Sequence, residues 1–140
     1  MRKYVLAATV IALASTSVVL AQPAKPAAEA GPTVVRKLLK DGDAPGGNTL
    51  TMMQVTIPPG GNEGRHIHSG ALIVHVISGV FSLDYEGKPR TDYKAGDTFY
   101  VEAGKQHEGH NLGKVDAVGI AAFSAPKGAP ITTQVTSNGK

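Results

Sequence analysis

Cysteine is absent from the 140 residues. Disulfides and thiolate ligands are therefore excluded, and any metal must be held by nitrogen and oxygen. A lipid-modified amino-terminal cysteine is excluded with them. Tryptophan is also missing and phenylalanine occurs only three times, so a core must be assembled mainly from aliphatic side chains. Blocks of like charge are lacking. The formal net charge is +3, but Arg2 and Lys3 belong to a segment expected to be removed, and without them 12 basic side chains face 11 acidic ones. The remaining lysines are scattered, which leaves no basic stripe, and nucleic acid is not an expected partner.

What is present begins with Met1–Ala21, which reads as a secretory signal peptide. Arg2 and Lys3 form its charged start, Val5–Leu20 its apolar run, and Val19-Leu20-Ala21 a small-residue processing site before Gln22. The alternative is an uncleaved anchor, since residues 4–21 carry no charge over 18 positions, borderline for a membrane span. The alanine-rich run and its processing site favour cleavage near Ala21, giving a secreted or periplasmic protein with no stable membrane anchor. Residues 22–32, QPAKPAAEAGP, form a Pro/Ala-rich linker with nothing to bury, expected to be disordered. Residues 33–140 remain for a single folded domain.

Seventeen glycines and nine prolines indicate many turns between short strands. Strands are expected at Thr33–Leu39, Thr49–Ile57, Leu72–Ile77, Val80–Tyr85, Arg90–Tyr93, Thr98–Val101 and Val115–Phe123. Ile131–Val135 adds an edge strand or packs the tail back, and Asp41–Asn48 reads as a turn cluster. Leu72–Ile77 is apolar except for His75, as in a strand buried on both faces. Roughly nine short strands and no helix imply an all-β sandwich or barrel.

Two histidine-bearing stretches carry the chemistry. His66 and His68 stand at i and i+2, which on an extended strand sends both imidazoles to one face. His107 follows a second glycine-rich segment and can complete a three-imidazole site from a distant strand. His75 lies an odd number of residues from His68 and is expected on the opposite face. His110 is read as a surface residue or one standing behind the ligands. Asn111, Glu108, Glu63 and Gln106 are candidates to orient a ligand ring through its free N–H. Met52, Met53, Tyr85, Tyr93 and Tyr100 read as core or rim.

The spacing of Gly60, His66, His68 and Gly79 resembles the first cupin motif, G-x5-H-x-H-x3–4-E-x6-G. Gly96, Gly104, His107 and Asn111 fall on the second, G-x5-P-x-G-x2-H-x3-N. The resemblance covers about Val34–Val135 and implies a cupin-like jelly-roll barrel, or double-stranded β-helix, with its site between the sheets. It also implies His66, His68 and His107 as metal ligands, and it admits a homodimer. Leu72 stands where the family's metal-binding glutamate would be, and Glu102 where a proline is usual.

Three neutral imidazoles would leave a divalent ion its full +2, whereas a carboxylate would reduce it to +1, so affinity for anionic ligands is expected. Such ligation suits iron, zinc, copper or nickel and disfavours magnesium and calcium. The resemblance to three-histidine cupin dioxygenases implies an oxygenase acting on an enol, diketone or phenolic small molecule. The alternatives are a non-catalytic periplasmic cupin that binds a metal or small ligand, a zinc-dependent isomerase or hydrolase, and a degenerate cupin without metal. The fold does not choose among these.

Overall fold

The computed structural model describes residues 32–136. The signal-peptide reading of residues 1–21 lies outside them, as does the linker reading of residues 22–32 apart from Pro32. The described residues form ten strands: β1 (Val35–Ala44), β2 (Asn48–Ile57), β3 (His66–His68), β4 (Ala71–Ser78), β5 (Val80–Tyr85), β6 (Lys88–Lys94), β7 (Thr98–Val101), β8 (His107–His110), β9 (Ala117–Pro126) and β10 (Thr132–Gln134). They make two five-stranded sheets in the orders β1-β2-β9-β4-β7 and β10-β3-β8-β5-β6, with antiparallel pairing throughout. The all-β double-sheet architecture anticipated from the sequence is the one observed.

Alternation decides what lies between the sheets. β4 is not buried on both faces as its apolar run suggests: Leu72, Val74 and Val76 are buried while Ile73, His75 and Ile77 are exposed. On β9 the inward positions are Ala117, Gly119, Ala121, Phe123 and Ala125. At Gly119 the smallness has a steric reason. A side chain on Gly119 would start 2.9 Å from Val74 Cγ1 and 3.2 Å from Phe81 Cζ, so the missing Cβ admits the Phe81 ring from the opposite sheet.

The chain changes sheets between β3 and β4, at Ser69-Gly70. A Cβ on Gly70 would fall 1.9 Å from the Ser124 carbonyl oxygen, so only glycine fits this crossing. An unbroken strand from His68 to Leu72 is therefore not what forms. Leu72 faces the interior nonetheless, because the two sheets present opposed inner faces. A second difference concerns Asp41–Asn48, expected as a turn. β1 runs on to Ala44, and only Pro45–Gly47 turns, with Gly46 and Gly47 at φ of 76° and 74°. Asp41, Gly42 and Asp43 are held by pairing with Thr51, Leu50 and Thr49 after a register shift between Leu38 and Lys40. Such residues are tolerated because β1 is an edge strand, with one side open to water.

Candidate metal centre

β3 is only three residues long and puts His66 and His68 on its inner face, with Ile67 between them pointing away. β8 lies alongside and pairs His107 directly with His66. The three rings thereby meet from two strands, with centroids 4.7 Å apart for His66 and His68, 4.3 Å for His66 and His107, and 4.8 Å for His68 and His107. All three are buried, and their ligand atoms lie within 4.8 Å of one another.

Each ring is fixed by a backbone carbonyl. Nδ1 of His66 donates to Gly64 O at 2.7 Å, Nδ1 of His68 to Ile131 O at 2.9 Å, and Nδ1 of His107 to Lys105 O at 2.9 Å. A carbonyl oxygen only accepts, so the proton of each neutral imidazole sits on Nδ1 and Nε2 carries a lone pair. Gly64 takes φ of 68°, which glycine adopts without strain, and its carbonyl turns back onto the His66 ring.

The donor set can be tested against a metal. Nε2 of His66 and Nε2 of His68 are 3.2 Å apart, yet neither has a proton left to share. Two facing lone pairs at that distance repel unless a cation lies between them. Two nitrogens bonded to one ion at about 2.0–2.1 Å and separated by an angle of about 90–109° stand about 2.8–3.4 Å apart. The observed spacing falls within that range, and the arrangement suits a divalent metal.

Burial has a further consequence. Desolvation, reinforced by the neighbouring imidazoles and Arg36, pushes His68 down to about 3 despite the opposing bond to Ile131. Desolvation likewise brings His107 down to about 4. These rings are therefore neutral at ordinary pH, the form that ligates metal.

The cavity beside the rings holds about 30 Å³, room for one or two water-sized molecules. Its walls are mainly apolar, Leu72, Val74, Phe99 and Phe123 among them, while Arg36, Glu63 and Thr132 bring polar groups to it. Leu72 thus occupies the wall where the family's pattern has a carboxylate. Phe123 meets His68 edge to face at 5.0 Å, and Tyr85 stacks on His107 at 6.4 Å.

The remaining sequence candidates fall elsewhere. His75 is exposed on the outer face, with Nδ1 3.0 Å from Thr98 Oγ1. His110 points away from the cavity towards Asp84, at 3.1 Å. Asn111 is fully buried but does not orient a ligand ring. It donates to Ile57 O and Val115 O at 2.7 Å each and accepts from Gly113 N, fastening the loop after β8. Gln106 accepts from Arg65, Glu63 accepts from Arg36, and Glu108 is 3.8 Å from His110. Orientation of the imidazoles falls to carbonyls instead. Ile131 O could not be found from side-chain spacing, because it depends on β10 pairing with β3 across 63 residues.

With the double sheet and the histidine trio in place, the comparison with known proteins is specific. The model of the cupin domain family matches residues 53–123. The chain belongs to the cupin family. Oxalate oxidase 1 of Hordeum vulgare is 33% identical over 94 residues, covering 58% of this chain and 45% of that protein. Oxalate oxidase 2 of the same plant is 30% identical over 134 residues, covering 74% and 58% respectively. This cupin thus spans about half the length of the curated relatives it matches. A cupin-like protein from Thermotoga maritima superposes with a TM-score of 0.63 at 22% identity, covering 78% of this cupin and 82% of that chain. At that identity the likeness concerns the fold.

Proposed function

We propose that this protein is an exported metal-dependent cupin oxidoreductase, with His66, His68 and His107 holding one divalent iron, zinc, copper or nickel ion. The observation that carries the reading is the convergence of Nε2 lone pairs whose Nδ1 protons are committed to carbonyls. A bound metal of this kind supplies Lewis acidity and, where redox-active, electrons for dioxygen chemistry. The three neutral rings leave its charge undiminished, and Leu72 contributes no carboxylate. An oxygen-bearing organic ligand is therefore drawn to the open side of the ion. Among the enol, diketone and phenolic classes suggested by the family, a cavity of about 30 Å³ favours the smaller, non-aromatic members. The named activity of the oxalate oxidases, on a two-carbon acid, is in keeping with a small substrate. Export rests on the signal-like Met1–Ala21.

A non-catalytic binding role is the second reading, and the closeness of the apolar walls is what favours it. One experiment separates them. Protein recovered from its native export compartment is analysed for metal and assayed for dioxygen uptake with small enols, diketones and acids. Bound iron or copper with uptake supports the oxidoreductase. Stoichiometric metal without turnover leaves the binding role, and absence of metal refutes both.

A further inference from the structure

Among the described residues, Arg36 and Glu63 form the ion pair that lines the cavity, and neither holds the metal. Arg36 lies on edge strand β1, and its register opposite Val55 puts it on the inner face. Its Nη2 donates to Glu63 Oε1 at 3.0 Å, with Arg36 36% exposed and Glu63 13% exposed. The pair therefore stands where solvent meets the cavity, and the Arg36 charge is felt by His68. Glu63 is held there by design of its surroundings. Its N–H donates to Gly109 O at 3.0 Å, its carbonyl accepts from Gln134 Nε2 at 3.4 Å, and a Cβ on Gly109 would sit 2.5 Å from Glu63 Oε2. A bare Gly109 makes the space that the Glu63 carboxylate occupies.

Arg36 is under-used in this arrangement. A guanidinium offers five N–H donors in a fork that matches a carboxylate two to two. Among the described residues its side chain makes a single hydrogen bond, to one oxygen of Glu63. The charges also leave a surplus. A divalent ion held by three neutral rings, with Arg36 and Glu63 cancelling each other, leaves +2 facing a mostly apolar cavity, where charge is poorly screened.

We propose that the site takes a small carboxylic acid, gripped by Arg36 at the cavity mouth and by the metal within, with Glu63 as the counter-ion that the ligand's carboxylate displaces. The inference rests on the metal-centre reading and adds the ligand class to it. A dicarboxylate offers one carboxylate to each cation, and a cavity of about 30 Å³ restricts it to the shortest, of the size of oxalate. A neutral diketone of the same size has nothing to offer Arg36.

Cobalt-loaded protein, whose visible spectrum reports ligand exchange, is titrated with azide, oxalate and pentane-2,4-dione. Wild type is compared with Arg36→Met, Arg36→Lys and Glu63→Gln. Loss of a charge-assisted bidentate contact weakens oxalate binding about 10- to 100-fold in Arg36→Met, while azide and the diketone, which need only the metal, bind as in wild type. Arg36→Lys keeps the charge without the fork and falls between, which also covers a Met variant that fails to fold. Glu63→Gln binds oxalate more tightly than wild type because the competing carboxylate is gone. Oxalate affinity that does not change with Arg36, or that weakens in Glu63→Gln, overturns the proposal while leaving the metal centre standing. Wild-type protein that takes up no cobalt overturns both.

Discussion

The two sheets are built on different terms. In the first, β2 and β9 pair over ten consecutive positions, from Asn48 with Pro126 to Ile57 with Ala117, and β4 joins the other side of β9 from Ala71 to Ser78. In the second, β3 has three residues and meets β8 through the single pair His66 with His107. The long ladders contribute no ligand. The short strands carry all three histidines, and what fixes them is loop chemistry: the carbonyls of Gly64, Lys105 and Ile131, and backbone bonds joining Gly60 and Gly61 to Asn111. The long-stranded sheet supplies rigidity and one apolar wall, while the short-stranded sheet supplies direction.

The sharpest way to break that division is to damage the packing between the sheets without removing a ligand ring or a carbonyl that holds one. Phe81 is buried against Phe99 and fills the space over Gly119. Phe81→Ala should cost about 3–5 kcal/mol of stability, visible as a large fall in Tm, while the surviving folded protein keeps its metal stoichiometry. If metal is lost in proportion to stability, the two sheets do not divide the work in this way.

The converse damage is His107→Ala. A substitution behind a ligand typically weakens metal affinity about 10- to 100-fold, and loss of one of three ligands should exceed that. The metal-free protein should stay folded, losing some stability to the cavity left by the buried ring, because the one hydrogen bond removed is local, to Lys105. Competition against a chelator of known affinity measures the effect. Matched substitutions at His75 and His110, which face away from the cavity, should leave affinity nearly intact.

Acidification reaches the short-stranded sheet through its buried rings. His68 and His107 titrate near 3 and 4 in the folded state, against 6.5 for a free histidine. Between those limits the unfolded chain binds more protons than the folded one, so stability falls as pH falls. Their contribution is complete above about 6.5 and is lost progressively towards pH 4 and then 3. Denaturant midpoints of metal-free protein at pH 7.5 and 5 should show the decline, and a His68→Gln/His107→Gln variant should show less of it.

The smallest net effect is expected from Leu72→Glu, because two changes oppose each other. Leu72 lines the cavity shared with His68 and His107. A carboxylate there adds an anionic ligand, so metal affinity should rise and azide affinity should fall. Without metal the unpaired carboxylate should cost a few kcal/mol. The signature is a larger metal-induced rise in Tm than in wild type. Behaviour like that of a surface substitution would remove Leu72 from the site wall.

These contrasts also explain what the sequence made legible. A period of two is enough to place His66 and His68 on one face and His75 on the other, and the glycine spacing brings His107 to them. Leu72 reaches the interior by a route that strand alternation from His68 does not describe, since the strand breaks at Gly70 and the chain changes sheet. Asp41–Ala44 looked like a turn because aspartate and glycine favour turns locally, yet edge pairing with β2 outweighs that preference. The bond from His68 to Ile131, the room that Gly109 makes for Glu63 and the inward register of Arg36 arise only when distant strands meet. Asn111 is one of several sequence candidates to orient a ring, whereas its bonds to Ile57 and Val115 secure the loop.

The central claim is that three Nδ1-protonated imidazoles offer Nε2 to one ion. X-ray absorption of the cobalt- or zinc-loaded protein tests it most directly. The account predicts one metal per chain with three imidazole nitrogens at about 2.0–2.1 Å and no carboxylate from the protein. Fewer than three imidazoles, or a protein carboxylate in the first coordination sphere, contradicts it.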